Sequence, residues 1–284
     1  MIAVLGGLGA AFMFAGTTLF SSRSAKLIGP WSVLAWVMIV GSAITLPWVA
    51  ATGIPSGLDR GTGAWLLVSG AANVVGLLFS YAAVRIGKVG VIAPIISTEG
   101  AIAALIAVAT GEHLAAGAAA MLLVIAVGVV LAGAIPDSQR QASPADEKRA
   151  VALAAAAAGC FGLGLYSTGH LSGDLPIAWA LLPARLIGLI AVALPLALSS
   201  RLRLTRRAVP FVVGGGVCEV AGFSLFALGA RHGIAIAAVL ASQFGGIAAV
   251  LGFAVFRERL GRIQVLGVTA IVVGVAVLTG IQSG

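Results

Sequence analysis

The stretch FAVFRERLG, Phe253–Gly261, places three charged residues between two long apolar runs. A related stretch, GEHL at Gly111–Leu114, lies 146 positions before RERL at Arg257–Leu260 and also separates two apolar runs. A charged turn that recurs at a fixed distance indicates a chain built from two similar halves. The arrangement of apolar runs around these two turns therefore decides the fold.

The composition is that of an integral membrane protein. Of the 284 residues, 60% are hydrophobic and 9% are charged, whereas an ordinary soluble domain has about 25% charged residues. A bilayer core about 30 Å thick needs about 20 apolar residues per helix, and ten runs fit this length. They lie near residues 1–21, 28–50, 63–84, 89–110, 114–135, 150–170, 176–199, 209–230, 234–256 and 263–282. We therefore predict an all-α integral membrane protein with ten transmembrane helices.

The ten runs divide into two sets of five. The longest polar segment, PDSQRQASPADEKR at residues 136–149, follows the fifth run and is the predicted linker between repeats at 1–135 and 150–284. An ungapped shift of 146 positions pairs Gly76 with Gly222 and Glu112 with Glu258. Because five is odd, the second half enters the membrane in the opposite orientation. The sequence thus predicts two inverted five-helix repeats, which are common among secondary transporters.

The basic residues report membrane topology. The net charge is +8, but the Lys and Arg residues are scattered over short loops and form no patch with interleaved aromatics, so nucleic acid is not the predicted partner. Arg60 and Arg231 are the basic residues in loops after even-numbered spans, Arg185 lies inside a span, and the others follow odd-numbered spans. Since Lys and Arg are retained on the cytoplasmic side, both termini are predicted to lie outside.

The glutamates of the two repeated turns have a predicted structural role. Glu258 directly precedes the tenth span, whose first amide groups lack partners within the helix. Arg257 and Arg259 lie near the carboxyl end of the ninth span, where cations complement the helix dipole. A connecting and capping role is therefore favoured over substrate contact for these glutamates.

Three segments carry a family resemblance. GVIAPIISTEGAIAALIAVATGEHL (Gly90–Leu114) and AAVLASQFGGIAAVLGFAVFRERLGRIQVLGVTAIVVGVAVL (Ala237–Leu278) resemble the closing two helices of each repeat in the EamA-like transporters of the drug/metabolite transporter superfamily. LLPARLIGLIAVALP (Leu181–Pro195) resembles the Arg-bearing second helix of that repeat. The first half departs from the pattern, because the position matching Arg185 falls near Val37 and no basic residue lies in that helix. The resemblance implies a ten-helix carrier of small metabolites.

Charged residues inside the apolar runs are the candidate binding residues. Glu99 and Glu219 lie near the middle of the fourth and eighth spans, where an ionised carboxylate costs roughly 2.5 kcal/mol or more. Each is either a proton or cation site that binds and releases its ion as the carrier alternates, or a member of a structural pair with Arg185 or Asn73. Arg185 is predicted to point into the bundle as a counter-ion or as a contact for an anion.

Uncharged polar residues in the spans extend the candidate site. The repeat aligns Asn73 with Glu219 and Ser97 with Gln243. Matching positions lie at places related by the predicted twofold axis, so these side chains are expected to line one central cavity together with Glu99 and Arg185. Interhelical hydrogen bonds, worth about 0.6 kcal/mol each, would also explain their presence.

The leading functional hypothesis is a secondary transporter that exports small organic metabolites or drugs by alternating access, driven by proton exchange. We expect a multi-pass protein of the plasma or inner membrane with a small-molecule substrate, protons and the lipid bilayer as partners. No cofactor and no metal site is predicted. The alternatives are an integral-membrane enzyme acting on lipid-linked substrates, which would need clustered His, Asp or Glu residues, and a helical pore or scaffold without turnover.

Overall fold

A computed structural model describes residues 1–86, 95–132 and 144–244, together with positions 247, 262, 263, 266, 267, 269, 270, 273, 274 and 277. Every regular element in this part of the chain is helical. The helices are α1 (Ile2–Ile28), α2 (Pro30–Thr52), α3 (Arg60–Ile86), α4 (Glu99–Ala109), α5 (Ala116–Ala132), α6 (Pro144–Asp174), α7 (Ile177–Leu198), α8 (Val209–Ala230) and α9 (Ile234–Ala241). The prediction of an all-α protein is confirmed.

The lengths of these helices fit a multi-pass membrane protein. Six of the described helices are long and apolar enough to cross a bilayer, namely α1, α2, α3, α6, α7 and α8. The described parts of α4 and α5 are shorter apolar helices. The nine helices correspond to the first nine predicted runs, while most of the tenth run, residues 263–282, lies outside the described residues. The count of ten therefore stays a prediction.

Local sequence explains where several helices begin. The proline at the first position of α2, Pro30, follows Gly29, whose φ of 84° turns the chain sharply after α1. Asp59 directly precedes α3, and its Oδ1 accepts a hydrogen bond of 2.7 Å from the backbone amide of Thr62. This hydrogen bond, followed by hydrogen bonds from neighbouring amides, lowers the pKa of the Asp59 carboxyl. Helix α6 begins at Pro144, inside the segment predicted as a linker, because PADE supplies an N-terminal proline and two acids for the first turn.

The helix pairs repeat between the two halves. Helix α1 packs on α8 as α6 packs on α3, α2 packs on α8 as α7 packs on α3, and α1 packs on α9 as α6 packs on α4. Two further pairs, α2 with α7 and α4 with α9, join helices at equivalent places in the two halves. Exchanging each of the first four helices with the helix five places later therefore maps this set of pairs onto itself.

The same exchange holds for two glycines and the rings that they face. A Cβ built on Gly76 in α3 would lie 2.7 Å from the ring of Phe161 in α6. A Cβ built on Gly222 in α8, the repeat partner of Gly76, would lie 2.6 Å from the ring of Phe14 in α1. Each phenylalanine thus occupies space that only a glycine leaves open, and small residues at helix crossings allow the close approach that membrane bundles require.

Candidate functional site

The centre of the candidate site is an ion pair between α7 and α8. The side chain of Arg185, in α7, is fully buried. Its Nη1 lies 2.5 Å from Oε2 of Glu219 in α8, and Glu219 is 7% exposed. The distance defines an ion pair, although the angles at Glu219 Oε2 do not satisfy a hydrogen bond. Arg185 is thus a counter-ion of Glu219, one of the two roles predicted for it, and its role as a contact for an anion stays a prediction.

The pocket around the guanidinium is built from three other side chains and one glycine. The carbon of the guanidinium lies 5.8 Å from the centre of the Phe223 ring, within the range of a cation–π interaction. Arg185 Nη1 donates weakly to Met38 Sδ at 3.9 Å. A Cβ on Gly41 would lie 3.0 Å from Arg185 Cδ, so the glycine of α2 makes room for the long side chain. Arg185 Nε has no hydrogen-bond partner among the described residues and remains free to bind an acceptor.

A small polar cavity adjoins the ion pair. It has a volume of about 10 Å³, close to the lower limit for one water molecule, and Arg185 and Asn73 both line it. The hydroxyl groups of Ser69 in α3 and Thr168 in α6 also line the cavity, and their oxygens are hydrogen-bonded at 2.8 Å. Asn73 is 7% exposed, and its Oδ1 has no hydrogen-bond partner among the described residues. Asn73 and Arg185 are thus brought together at one cavity.

The other three predicted residues meet at the crossing of α4 and α9. Ser97, Glu99 and Gln243 are 4%, 7% and 1% exposed, respectively. Neither polar atom of the Gln243 amide has a partner in the described part of the chain, and no described cation pairs with the Glu99 carboxylate. The crossing is tight, because a Cβ on Gly100 would overlap the carbonyl oxygen of Ala238.

The fourth and ninth spans share a local irregularity beside these residues. The amide of Thr98 donates to the carbonyl of Ile95 at 3.1 Å, and the amide of Gln243 donates to that of Leu240 at 3.2 Å. Both are bonds over three residues, which tighten the helix locally. A hydroxyl supports each turn, since Thr98 Oγ1 donates to Ile95 O at 2.7 Å and Ser242 Oγ donates to a carbonyl three residues earlier at 2.9 Å. Irregular backbone inside a membrane bundle is tolerated where protein buries it or where it lines a cavity.

All six predicted residues are therefore buried in the bundle, in two groups. Asn73, Arg185 and Glu219 lie around the ion pair, whereas Ser97, Glu99 and Gln243 lie at the α4–α9 crossing. No hydrogen bond or ion pair between described residues joins the two groups. A single cavity lined by all six residues stays a prediction.

Sequence reasoning missed the polar side chains of α2. Ser42 and Thr45 are 3% and 0% exposed, and their hydroxyl oxygens have no partner among the described residues. It also missed Ser69, which lies one helical turn before Asn73 and one turn after Trp65. The available signal was the spacing of polar residues by three or four positions within apolar spans, as in Ser42 with Thr45 and Ser69 with Asn73.

The first repeated glutamate caps a helix, but not the expected one. Glu112 accepts hydrogen bonds from the amides of Ile234 and Ala235 at 3.1 and 3.2 Å, which are the first two residues of α9. The sequence had suggested a cap for the helix that directly follows each turn. The difference arises because α4 packs on α9, so the turn after α4 lies at the exposed amides of α9. Glu258, Arg257 and Arg259 lie outside the described residues.

The fold and this buried site define a class: a multi-pass helical membrane protein with an ion pair and unpartnered polar groups inside its bundle. Residues 1–134 match the EamA-like transporter family. This part of the chain is thus an EamA-like domain, and the family belongs to the drug/metabolite transporter superfamily, as the resemblance had indicated. The match indicates a membrane transporter.

Two further comparisons bear on the fold. A solved structure, described as a crystal structure of a protein, superposes with a TM-score of 0.78 over 98% of this chain and 96% of the other chain. The two sequences are 18% identical, so the likeness concerns the fold alone. A search of curated protein sequences gives no significant match.

Proposed function

We propose that the protein is a secondary transporter that exports small organic metabolites or drugs across the plasma or inner membrane by alternating access. The observation that carries this proposal is the Arg185–Glu219 pair, which lies buried where α7 and α8 meet α2. Buried ionisable residues in membrane spans are costly and mark substrate or ion pathways. The EamA-like match over residues 1–134 supports a transporter over an enzyme or a scaffold.

The pairing of the helices supports alternating access. Eight helix pairs, α1–α8 with α3–α6, α2–α8 with α3–α7, α1–α9 with α4–α6, and the self-paired α2–α7 and α4–α9, map onto themselves when the halves are exchanged, and the Gly76–Phe161 contact has its counterpart in Gly222–Phe14. This is the arrangement expected of two inverted five-helix repeats. In such carriers the two halves rock around a site near the bilayer midplane.

The proposed solute carries an anionic group that binds Arg185. The guanidinium offers a fixed fork of donors that suits a carboxylate or phosphate, and its Nε is unpartnered among the described residues. A solute carboxylate must compete with Glu219 for this guanidinium, because the two groups are within contact distance. Asn73 Oδ1, at the same cavity, supplies an acceptor for an ammonium or hydroxyl group of the solute.

Proton exchange assigns different roles to the two buried acids. Glu219 lies against Arg185, so its carboxylate competes with a solute anion for the same guanidinium. Export against a proton entering the cell requires solute and proton to bind alternately. Glu99 has no described counter-ion, and we assign the exchanged proton to its carboxylate, whose proton binding alternates with solute binding at Arg185 as the two halves rock.

Proteoliposomes containing a pH-sensitive dye test this assignment. A panel of small carboxylic acids and amino acids is applied, together with their uncharged amides as controls. We expect proton movement with carboxylate-bearing solutes and none with the amides. The Glu99→Gln variant should lose proton movement but keep the exchange of labelled for unlabelled solute, whereas Asp174→Asn, at an exposed carboxylate, should keep both.

Two results would contradict the proposal. Equal transport of the acids and their amides would show that Arg185 does not bind an anionic group of the solute. A wild-type pH response in Glu99→Gln would show that Glu99 is not the proton site. Glu219→Gln is a poorer test, because it leaves Arg185 buried without its counter-ion and destabilises the protein for that reason alone.

A further inference from the structure

A groove lies at one end of the bundle, between the α1–α2 turn and the loop after α7. Its volume is about 530 Å³. Apolar side chains form one part of the lining and polar or basic side chains form the other; they include Ile28, Trp31, Ser32, Leu196, Arg201 and Arg203. The groove is remote from the Arg185 cavity, which is lined by a different set of residues. The groove is therefore not part of the proposed transport site.

The basic wall of the groove is held in place by hydrogen bonds. The amide of Arg203 donates to Ser32 Oγ at 3.1 Å, and Trp36 Nε1 donates to the carbonyl of Arg203 at 3.0 Å. The amide of Arg201 donates to the carbonyl of Leu196 at 2.9 Å, which closes the end of α7. The backbone of the loop is thus fixed against α2 and α7, and it presents its side chains from a defined position.

The guanidinium groups of Arg201 and Arg203 have no acidic partner among the described residues. Both side chains are exposed. Arg206 and Arg207, on the same loop, are also exposed but do not line the groove. Arginine binds phosphate oxygens through parallel N–H donors. Two such side chains at the mouth of one groove fit a phosphate-bearing ligand.

The apolar wall decides which kind of phosphate fits. Ile28 is 4% exposed, so the accessible apolar lining comes from the half-buried Leu196, at the end of a membrane-spanning helix, and from Trp31, which is 37% exposed. Tryptophan is enriched where a helix leaves the hydrocarbon for the headgroup region. A ligand that places a phosphate on the arginines and a hydrocarbon chain along Trp31 and Leu196 must itself be amphipathic.

We propose that this groove binds an anionic phospholipid. The headgroup phosphate contacts Arg201 and Arg203, Trp31 lies against the glycerol backbone, and an acyl chain follows Leu196 into the bilayer. Basic residues near a membrane surface attract its negative headgroups. The loop follows an odd-numbered span, so the charge distribution places the groove at the cytoplasmic leaflet.

Native mass spectrometry of the detergent-purified full chain tests the proposal. The protein is titrated with phosphatidylglycerol and, separately, with phosphatidylcholine, and bound lipids are counted. The test variant is Arg201→Gln/Arg203→Gln, and the matched control is Arg206→Gln/Arg207→Gln, which removes the same charge from the same loop outside the groove. We expect the test variant to bind phosphatidylglycerol about 30-fold more weakly, because it loses both guanidinium contacts with the phosphate, and the control to stay close to wild type.

Three outcomes would overturn the proposal. Equal losses in the two double variants would show general attraction to the loop charge instead of a built groove. Equal binding of phosphatidylcholine and phosphatidylglycerol would remove the anionic specificity. Displacement of the lipid by an equal concentration of glycerol 3-phosphate would identify a soluble phosphate as the ligand. Because every readout is lipid binding, these results are independent of whether the protein transports carboxylates.

Discussion

Breaking the Arg185–Glu219 pair from one side should destabilise the protein far more than removing both partners. Arg185 is fully buried, Glu219 is 7% exposed, and Nη1 and Oε2 are 2.5 Å apart. Removing one member of a buried ion pair typically costs about 3–5 kcal/mol, since the remaining charge is left without compensation. Replacing both members by apolar side chains of similar size is often neutral. Methionine matches the length of glutamate and is the longest unbranched apolar side chain available to replace arginine, so it suits this comparison.

The contacts of Arg185 refine the expected numbers. Arg185→Met also removes the cation–π interaction with Phe223, worth about 0.5–2 kcal/mol, whereas Glu219→Met leaves the Phe223 ring untouched. We therefore expect each single variant to lose about 3–5 kcal/mol, with Arg185→Met the less stable of the two. The double variant should lose no more than about 2 kcal/mol, which is the lost cation–π contact.

The assay is a double-mutant cycle on purified protein in detergent, with unfolding by dodecyl sulfate followed by circular dichroism. The expected coupling energy between Arg185 and Glu219 is at least about 3 kcal/mol. The control cycle combines Arg185→Met with Glu99→Met, and its losses should add, because Glu99 has no described contact with Arg185. If the Arg185–Glu219 losses add within about 0.5 kcal/mol, the two residues do not form the pair and the site is wrongly built.

Three further variants test individual contacts by the same unfolding assay. Glu112→Gln should lower the free energy of unfolding by about 1 kcal/mol, because it removes the charge that caps α9. The control His113→Gln, at the exposed neighbouring position, should change the stability little. Equal effects of the two variants would argue against the cap. Gly100→Ala should lower the free energy of unfolding by about 1–3 kcal/mol, because the added Cβ overlaps α9. The control Gly159→Ala, where a Cβ meets nothing within 4 Å, should raise it by about 0.5–1 kcal/mol through helix propensity. A Gly100→Ala protein as stable as wild type would show that the α4–α9 crossing is looser than described. The pKa of the Asp59 carboxyl is lowered from 3.8, first of all by an amide of α3. The ionised carboxylate therefore stabilises the folded protein above pH 3.8, and this stabilisation is lost as the pH falls through the lower folded-state pKa. Asp59→Asn should abolish this part of the pH dependence of unfolding, and an unchanged pH profile would contradict the prediction.

The sequence predicted the helices well because bilayer thickness sets their length. Nine of the ten apolar runs overlap described helices, six of which are long enough to cross a bilayer, and the beginning of α6 differs because Pro144 and the acids after it favour a helix start inside a polar segment. Burial of the candidate residues also followed from the sequence, since Glu99, Arg185 and Glu219 would each be costly against lipid. These conclusions need only the properties of single segments.

The partners of these residues could not be predicted in the same way. Arg185 had two candidate counter-ions, Glu99 and Glu219, on helices that are distant in sequence, and the packing of α8 against α7 decides between them. The helix that Glu112 caps depends equally on packing, because the nearest amides in sequence are not the nearest in space. The three-residue spacing of Ser42 and Thr45 was only a weak signal for a polar site. Hydroxyl side chains are common in apolar helices, where they usually bond to the preceding turn.

The Arg185–Glu219 pair has no charged counterpart at the equivalent places of the other half, although the scaffold around it is paired. The exchange of the two halves relates Glu219 to Asn73, an uncharged residue, and relates the helix of Arg185 to α2, which has no charged residue. Helices α2 and α7 contact each other directly, so Arg185 lies where the two halves meet. If the halves exchange conformations around this place, the same guanidinium is presented first to one side of the membrane and then to the other. A second arginine at the equivalent place in α2 would put two cations at one crossing, and each would need its own buried acid. In the proposed alternating carrier, one charge beside the interface of the halves would serve both orientations, and an asymmetric site would then suit a bundle whose helices are paired.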